Sequence, residues 1–305
     1  MASEVLAGSA TPLPVKRPVG PTRRLWATAW KRPEFKVGLI IFLILIGLAV
    51  IFPFFTELSP VKISVKDKFL PPFFLEGGSF AHPLGTDQLG RDLFIRSLIG
   101  LQNALLISFS TVILMFIIGT TIGLVAGYKG GWVDTILMRL TDAQLSIPLI
   151  ILAIVILTIT RPTPLTVILV LALASWPAYA RVTRSVALTE RRREYVRGAK
   201  ILGASDLRIM LMLVAPNILP PIAFVAILDV ARMMIFEAIL GFIGIGVQPP
   251  TPTFGTIISD GRKYLINAWW IATMPGAFLF LSLLSLNLMG ASLERARNML
   301  LRGTI

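Results

Sequence analysis

The sequence predicts an all-α integral membrane protein with six transmembrane helices. Mean hydropathy is high, at +0.80. Apolar residues make up 55% of the 305 and charged residues only 15%, against roughly 25% charged in soluble domains. Several apolar runs also reach the roughly 20 residues needed to cross a hydrocarbon layer about 30 Å thick.

The elements follow in order. Residues 1–36 form a basic tail, expected to be mobile from Pro12 to Pro21 and cytoplasmic. Trp26 and Trp30 sit among Arg23, Arg24, Lys31 and Arg32, a pattern that suits an interfacial helix and equally a solvated basic tail. The first apolar stretch, 37–55, follows no short basic leader and no small-residue cleavage site, so it reads as an uncleaved first span. Residues 56–102 form an extracytoplasmic segment, and residues 103–290 a five-helix core. Its spans are Asn103 to Gly127, Thr135 to Ile159, Leu165 to Val182, Leu213 to Gly244 and Ile271 to Gly290. The turn Thr160-Arg161-Pro162-Thr163-Pro164 separates the second and third of these. The stretch from Leu213 is longer than one crossing requires, so part of it is expected to bend or lie at the interface. Residues 291–305 form a second cytoplasmic tail.

Charge fixes the expected orientation. With the N-terminus inside, 19 of the 29 Lys and Arg residues fall on the cytoplasmic side and 8 outside. Cytoplasmic loops carry the excess of Lys and Arg, so both termini are expected in the cytoplasm. In a soluble protein a net charge of +13 would point to nucleic acid; here it marks a membrane face, and no nucleic-acid partner is expected.

Composition also removes most enzyme classes. There is no cysteine, hence no disulfide framework, thiolate nucleophile or Cys-ligated metal. With a single histidine, His82, no His-based metal centre is expected. No G-x-x-x-x-G-K-[ST] phosphate loop is present, so the chain does not supply an ATP site of its own. Pro83, Gly85 and Gly90 describe turns, and His82, Asp87, Arg91 and Asp92 read more readily as bracing that outer loop than as a ligand site.

Ionisable residues inside spans are costly and face protein or water. Arg139 and Asp142 lie three apart, as do Asp229 and Arg232, so each pair can neutralise locally on one helix face. Glu237 has no such neighbour. These five residues either line a polar pathway or serve helix packing.

The loop at 184–212 carries the functional signal. Thr189 to Met212 is too polar to span and too long for a simple turn. It has helical character up to Leu202, a stop at Gly203, and a cap for a second helix at Ser205-Asp206. Gly198, Ala199, Gly203 and Ala204 keep the surface low, while Glu194, Gly198 and Ile201 share a face by their spacing. Such a helix suits a groove on a cytoplasmic partner, or, as an alternative, an anionic lipid surface.

The segment Glu194-Tyr195-Val196-Arg197-Gly198-Ala199-Lys200-Ile201-Leu202-Gly203-Ala204-Ser205-Asp206 resembles the signature loop of ABC importer permeases. That pattern reads Glu-Ala-Ala, three residues, Gly, nine residues, Ile-x-Leu-Pro. Ala199 matches the second Ala, Gly203 the Gly and Pro216 the Pro. Arg197 stands in place of the Glu, Gly198 of the first Ala, and Leu213 and Ala215 of Ile and Leu. The role of the family Glu therefore does not carry over directly, and Glu194 lies one turn away. His82 to Asp92, Gly130 to Asp134, Pro216 to Pro221 and Gly241 to Pro250 resemble, in the same order, the C-type permeases of dipeptide, oligopeptide and nickel importers. The segment Ala291 to Arg297 departs from that family's usual ending.

The resemblance implies a type I ABC importer permease whose loop, through Glu194, Arg197, Gly198, Ala199, Gly203, Ala204, Ser205 and Asp206, couples to an ATPase. It implies no cofactor on this chain, ATP and Mg on two ATP-binding subunits, a second related permease subunit and an extracytoplasmic solute-binding protein. The site is then the cytoplasmic membrane of a bacterium or archaeon. Carried solutes among such permeases include peptides, opine-like compounds, nickel chelates and glutathione. The alternative is an ion-coupled secondary transporter, which needs a buried carboxylate relay and often paired repeats. A membrane-embedded enzyme would need a nucleophile–base or metal constellation, and none is visible.

Overall fold

A computed structural model describes residues 21–56 and 59–301. The predicted mobile stretch before Pro21 and the last four residues of the predicted C-terminal tail lie outside the described residues.

Helix α1 (Pro21–Trp30) opens on a proline, which is tolerated in a first turn where the N–H would be unpaired. Its Leu25 and Ala29 are buried with Phe35, Leu293 and Ala296, so this stretch is a docked helix rather than a solvated tail. Helix α2 (Pro33–Ile51) is apolar all round, as befits a span, and ends in a short 3-10 turn at Phe52–Phe54.

Helix α3 (Leu93–Lys129) has 37 residues, about 55 Å at 1.5 Å per residue. It starts ten residues before the predicted Asn103, because the Asp92 carboxylate accepts from Ile95 N and caps it.

The predicted third span, Thr135 to Ile159, is broken. Helix α4 (Gly131–Leu145) and helix α5 (Leu149–Ile159) meet at 81°. Pro148 at the break offers no backbone N–H to continue the ladder.

Helix α6 (Pro164–Glu190) begins where the predicted turn ends, with a reciprocal cap between Thr163 and Thr166. It runs past Val182 to Glu190. Helix α7 (Glu194–Ile201) and the single turn α8 (Asp206–Arg208) lie in the predicted loop. A π-helical stretch at Ile209–Val214 leads into helix α9 (Ala215–Ile243). Pro216 cannot donate a backbone hydrogen bond, and Ala215 N instead reaches back to Met210 O. Around Pro220 the path bends by 68° between Asp206–Pro220 and Val225–Ile243, which meets the expected bend.

Helix α10 (Phe254–Gly261) is short and capped reciprocally by Thr253 and Thr256. Helix α11 (Trp270–Leu301) continues past Gly290, the predicted end of the last span. Nothing in Ala291 to Arg297 breaks a helix, and Leu293 and Ala296 bury against α1.

Among the described residues four helices are long and apolar enough to cross a membrane, or six if each bent pair is one span. The main core gathers side chains from α2, α3, α5, α6, α9 and α11, including Leu98, Ile107, Met115, Leu171 and Met234. A second, smaller core joins α3, α6, α7 and the π-helical stretch through Leu124, Ala187, Val196, Ile209 and Val214.

Candidate functional site

The loop from Arg191 to Val214 is anchored from beneath by Val196, whose side chain is buried in the smaller core with Ala199 and Ala204 beside it. Helix α7 stops in a Schellman turn. Gly203 adopts φ +80°, its N–H reaches Lys200 O at 3.1 Å, and Ala204 N reaches Ala199 O at 3.0 Å. Ser205 caps the next turn by accepting from Arg208 N. The predicted low surface therefore divides. Ala199 and Ala204 turn inward, whereas a Cβ built on Gly198 or Gly203 would meet nothing within 4 Å. Glu194 and Ile201 lie on the outer surface. Ile201 and Leu202 project at 86% and 87% exposure, leaving an apolar tip beside two open glycines.

Polar bonds tie this loop to the spans. Tyr128 Oη donates to Asp206 Oδ1 at 2.9 Å. Arg191 Nη1 donates to Gly127 O and Tyr128 O, at 3.2 and 3.1 Å, satisfying carbonyls at the end of α3 that lack helical partners. Gly130, at φ +68°, makes room for that guanidinium, since a Cβ there would sit 2.6 Å from Nη1. Asp134 and Arg184 form a two-pronged pair at 2.5 and 2.6 Å, joining α4 to α6. Tyr195 donates to Glu190 at 2.6 Å and accepts from Asn217. Burial and then the Glu190 bond push its phenol above the ordinary range. One loop is thus fastened to α3, α6 and α9.

On the opposite side the 59–92 segment folds back over the start of α3. Asp87 accepts from Arg91 Nε at 2.6 Å and from Leu89 N and Arg91 N. His82 Nδ1 lies 2.8 Å from Asp92 Oδ2, while the other Asp92 oxygen caps α3. Trp270 Nε1 donates to Thr86 O at 3.3 Å. These residues brace the loop, as expected.

Of the two local charge pairs expected within spans, Asp229–Arg232 forms and Arg139–Asp142 does not. Asp142 bonds Arg181 of α6 at 2.7 Å, not Arg139, which is exposed and forms no ion pair among the described residues. A neighbour three residues away is within reach, but α6 packs alongside α4 and its guanidinium takes the carboxylate. Asp229 and Arg232 do pair, at 2.7 Å, and Tyr179 Oη donates to Asp229 at 2.5 Å. Tyr179, Asp229 and Arg232 line a hollow of about 100 Å³. Arg232 also lines a second, of about 220 Å³, with Gln144, Pro148 and Ser175. Glu237 lines neither. It is 1% exposed, neither oxygen makes a geometrically sound hydrogen bond, and the Thr253 side chain is close enough to interact with it. Among the described residues no cluster of His, Cys, Asp or Glu could hold a metal ion.

Residues 119–298 match the family described as the binding-protein-dependent transport system inner membrane component. The di/tripeptide transport system permease protein DppC of Pseudomonas aeruginosa is 37% identical over 90% of this chain and 91% of its own length. The chain belongs to that family. This permease is also 36% identical to the dipeptide transport system permease protein DppC of Haemophilus influenzae, over 94% of this chain and 97% of the relative. To the probable D,D-dipeptide transport system permease protein DdpC of Escherichia coli it is 34% identical, over 82% of each chain. Among solved structures, a chain of the MetNI methionine ABC transporter shares the fold, with TM-score 0.52 and 19% identity over 65% of this permease and 94% of that chain.

The protein is a permease subunit of an ABC importer, a multi-pass inner-membrane component working with partner permease and ATPase subunits. Nucleotide is bound and ATP hydrolysed on the separate ATPase subunits. Nothing in these likenesses supports an ion-coupled secondary transporter. The matched region runs from the last third of α3 into α11 and contains the whole loop.

The permease also packs α3 against α6 along a row of glycines that is not among the expected site residues. Gly119, Gly123 and Gly127 recur every four residues on α3, and built Cβ atoms would lie 2.4, 2.3 and 2.8 Å from Trp176 O, Ala180 O and Arg184 O of α6. Small residues at this spacing let membrane helices approach closely, and the spacing itself was the available signal.

Proposed function

We propose that this permease crosses the membrane six times with both termini cytoplasmic and that the loop around α7 is its coupling element. The loop docks on one of two ATP-binding subunits, which hold ATP and Mg, and passes their closure to the spans. The observation that carries this reading is the attachment of one projecting loop to α3, α6 and α9 through Tyr128–Asp206, Arg191 and Tyr195–Asn217. A push on α7 then displaces several spans at once. Glu194, Arg197, Gly198, Gly203 and Asp206 form the docking surface, Ser205 shapes it, and Ala199 and Ala204 seat it on the core.

A second, related permease subunit completes the conduit, and an extracytoplasmic binding protein delivers the solute. Peptides are the proposed cargo, because the relatives named for di- and tripeptide transport match nearly end to end. Asp142, Asp229 and Arg232, with Arg139, form the polar face of the pathway, with one hollow between α6 and α9 and a second at the α4–α5 break. Glu237, buried near Thr253, is assigned to helix packing. ATP favours one of two packings of the spans, which requires that the docked subunits bind those packings with different strength.

The test is Gly198→Trp in the complete complex. Gly198 has room for a side chain in the isolated subunit, whereas Gly203 would be strained by any Cβ at its positive φ. The permease should remain folded while solute-stimulated ATP hydrolysis and transport fall at least tenfold. Normal transport by this variant would overturn the reading.

A further inference from the structure

Behind α7 lies a hollow of about 580 Å³ lined by Lys129, Arg191, Arg192, Arg197, Lys200 and Asp206, among others. Its charge is lopsided. Asp206 already accepts from Tyr128 Oη at 2.9 Å and lies 4.0 Å from Lys200 Nζ. Arg191 is held by two backbone carbonyls and shares the field of Asp134 with Arg184, so the excess charge lies on the other cations. Lys129, Arg192 and Arg197 are exposed and form no ion pair among the described residues. Like charges gathered in one concavity repel, and an incoming anion relieves that repulsion.

We propose that this hollow is an acceptor for carboxylate side chains, so that the ATPase subunit docking on α7 presents an acidic rim read by Arg197 and Lys200. The inference rests on the coupling reading and adds the chemistry of the partner. Three features favour a protein over a lipid headgroup. The apolar tip of Ile201 and Leu202 adjoins the basic hollow, which matches a groove with an apolar floor and a charged edge. Gly198 and Gly203 leave open space for the close approach of a rigid backbone, a gap that fluid lipid does not need. Glu194 at the start of α7 would be repelled by an anionic membrane. Charge complementarity of this kind sets partner choice and the rate of docking, which matters where a cell holds many related ATPase subunits.

The experiment places the full permease pair in nanodiscs of phosphatidylcholine, and separately of phosphatidylcholine with phosphatidylglycerol. Labelled ATPase subunits are titrated on at low and high salt. Three forms are compared with the native one: Arg197→Glu with Lys200→Glu, Arg197→Gln with Lys200→Gln, and Gly198→Trp. Native affinity should fall as salt rises. Charge reversal should weaken docking at least tenfold in both lipids and invert the salt dependence, with the Gln form between. Should the reversed form lose thermal stability, the Gln form alone decides. Unchanged affinity and salt slope would overturn the inference, as would a loss confined to phosphatidylglycerol, which would assign the hollow to lipid headgroups. If Gly198→Trp prevents docking while charge reversal does nothing, only the acidic rim is wrong. If Gly198→Trp also docks and stimulates normally, the coupling reading itself fails.

Discussion

The Tyr128 hydroxyl donates to the Asp206 carboxylate at 2.9 Å, joining residues 78 positions apart. The bond links the last turn of the longest helix to the turn that follows α7. Tyr128→Phe deletes the donor and little else. A hydrogen bond of this kind contributes about 0.5–1.5 kcal/mol, so solute moved per ATP should fall roughly two- to tenfold with the complex still assembled. Asp206→Asn keeps an acceptor oxygen and should lose less, measured by transport against hydrolysis in proteoliposomes.

Gly123→Ala tests the contact between α3 and α6. The added methyl would lie 2.3 Å from Ala180 O, so the helices must part. Overpacking of a tight contact costs about 1–3 kcal/mol, and thermal unfolding of the purified subunit should show the loss. Gly47→Ala, with nothing within 4 Å of the new atom, is the neutral control.

Asp134→Ala removes both bonds to Arg184. Arg184 is about one-third exposed, so solvent takes up part of its charge and the expected loss is about 1–2 kcal/mol. Stability should drop with solute specificity unchanged, because the pair lies at the loop end of the spans. A change in the profile of competing solutes, with stability unaltered, would place Asp134 in the pathway instead.

Asp92→Ala removes the cap of α3 and the partner of His82. Loss of a cap costs about 1 kcal/mol. Proteolysis of the 59–92 segment should accelerate, with His82→Gln giving a milder effect. The reverse order would mean that His82 contributes more than its bond to Asp92.

Arg232→Ala leaves the mostly buried Asp229 with Tyr179 but no cation. The expected cost is about 1–3 kcal/mol, larger than for Tyr179→Phe, as read by thermal unfolding of the assembled complex. If Arg232 also faces the solute, transport of a neutral solute analogue should be affected differently from that of a charged one.

Much of this architecture was legible in the chain. Apolar runs of about the length a bilayer requires located the long helices, because lipid forces backbone groups to pair within a helix. Gly203 and Ser205-Asp206 gave the end of α7 and the start of α8 through residue-specific turn and cap preferences, which act over a few residues. The spacing from Ala199 through Gly203 to Pro216 carried the family resemblance.

Other features depended on which elements meet. Asp142 could reach Arg139 on its own helix, but tertiary packing brought Arg181 closer, and sequence spacing cannot rank a local partner against one on a neighbouring helix. Whether Ala199 and Gly198 faced inward or outward depended on where Val196 found a core. The last helix ran on to Leu301 because α1 covered Leu293 and Ala296. Local periodicity determined the helices, their caps and the polar loop; contacts between residues far apart in the chain decided which charges pair, which glycines are crowded and which are open. Those contacts follow from a packing that no single window of sequence contains.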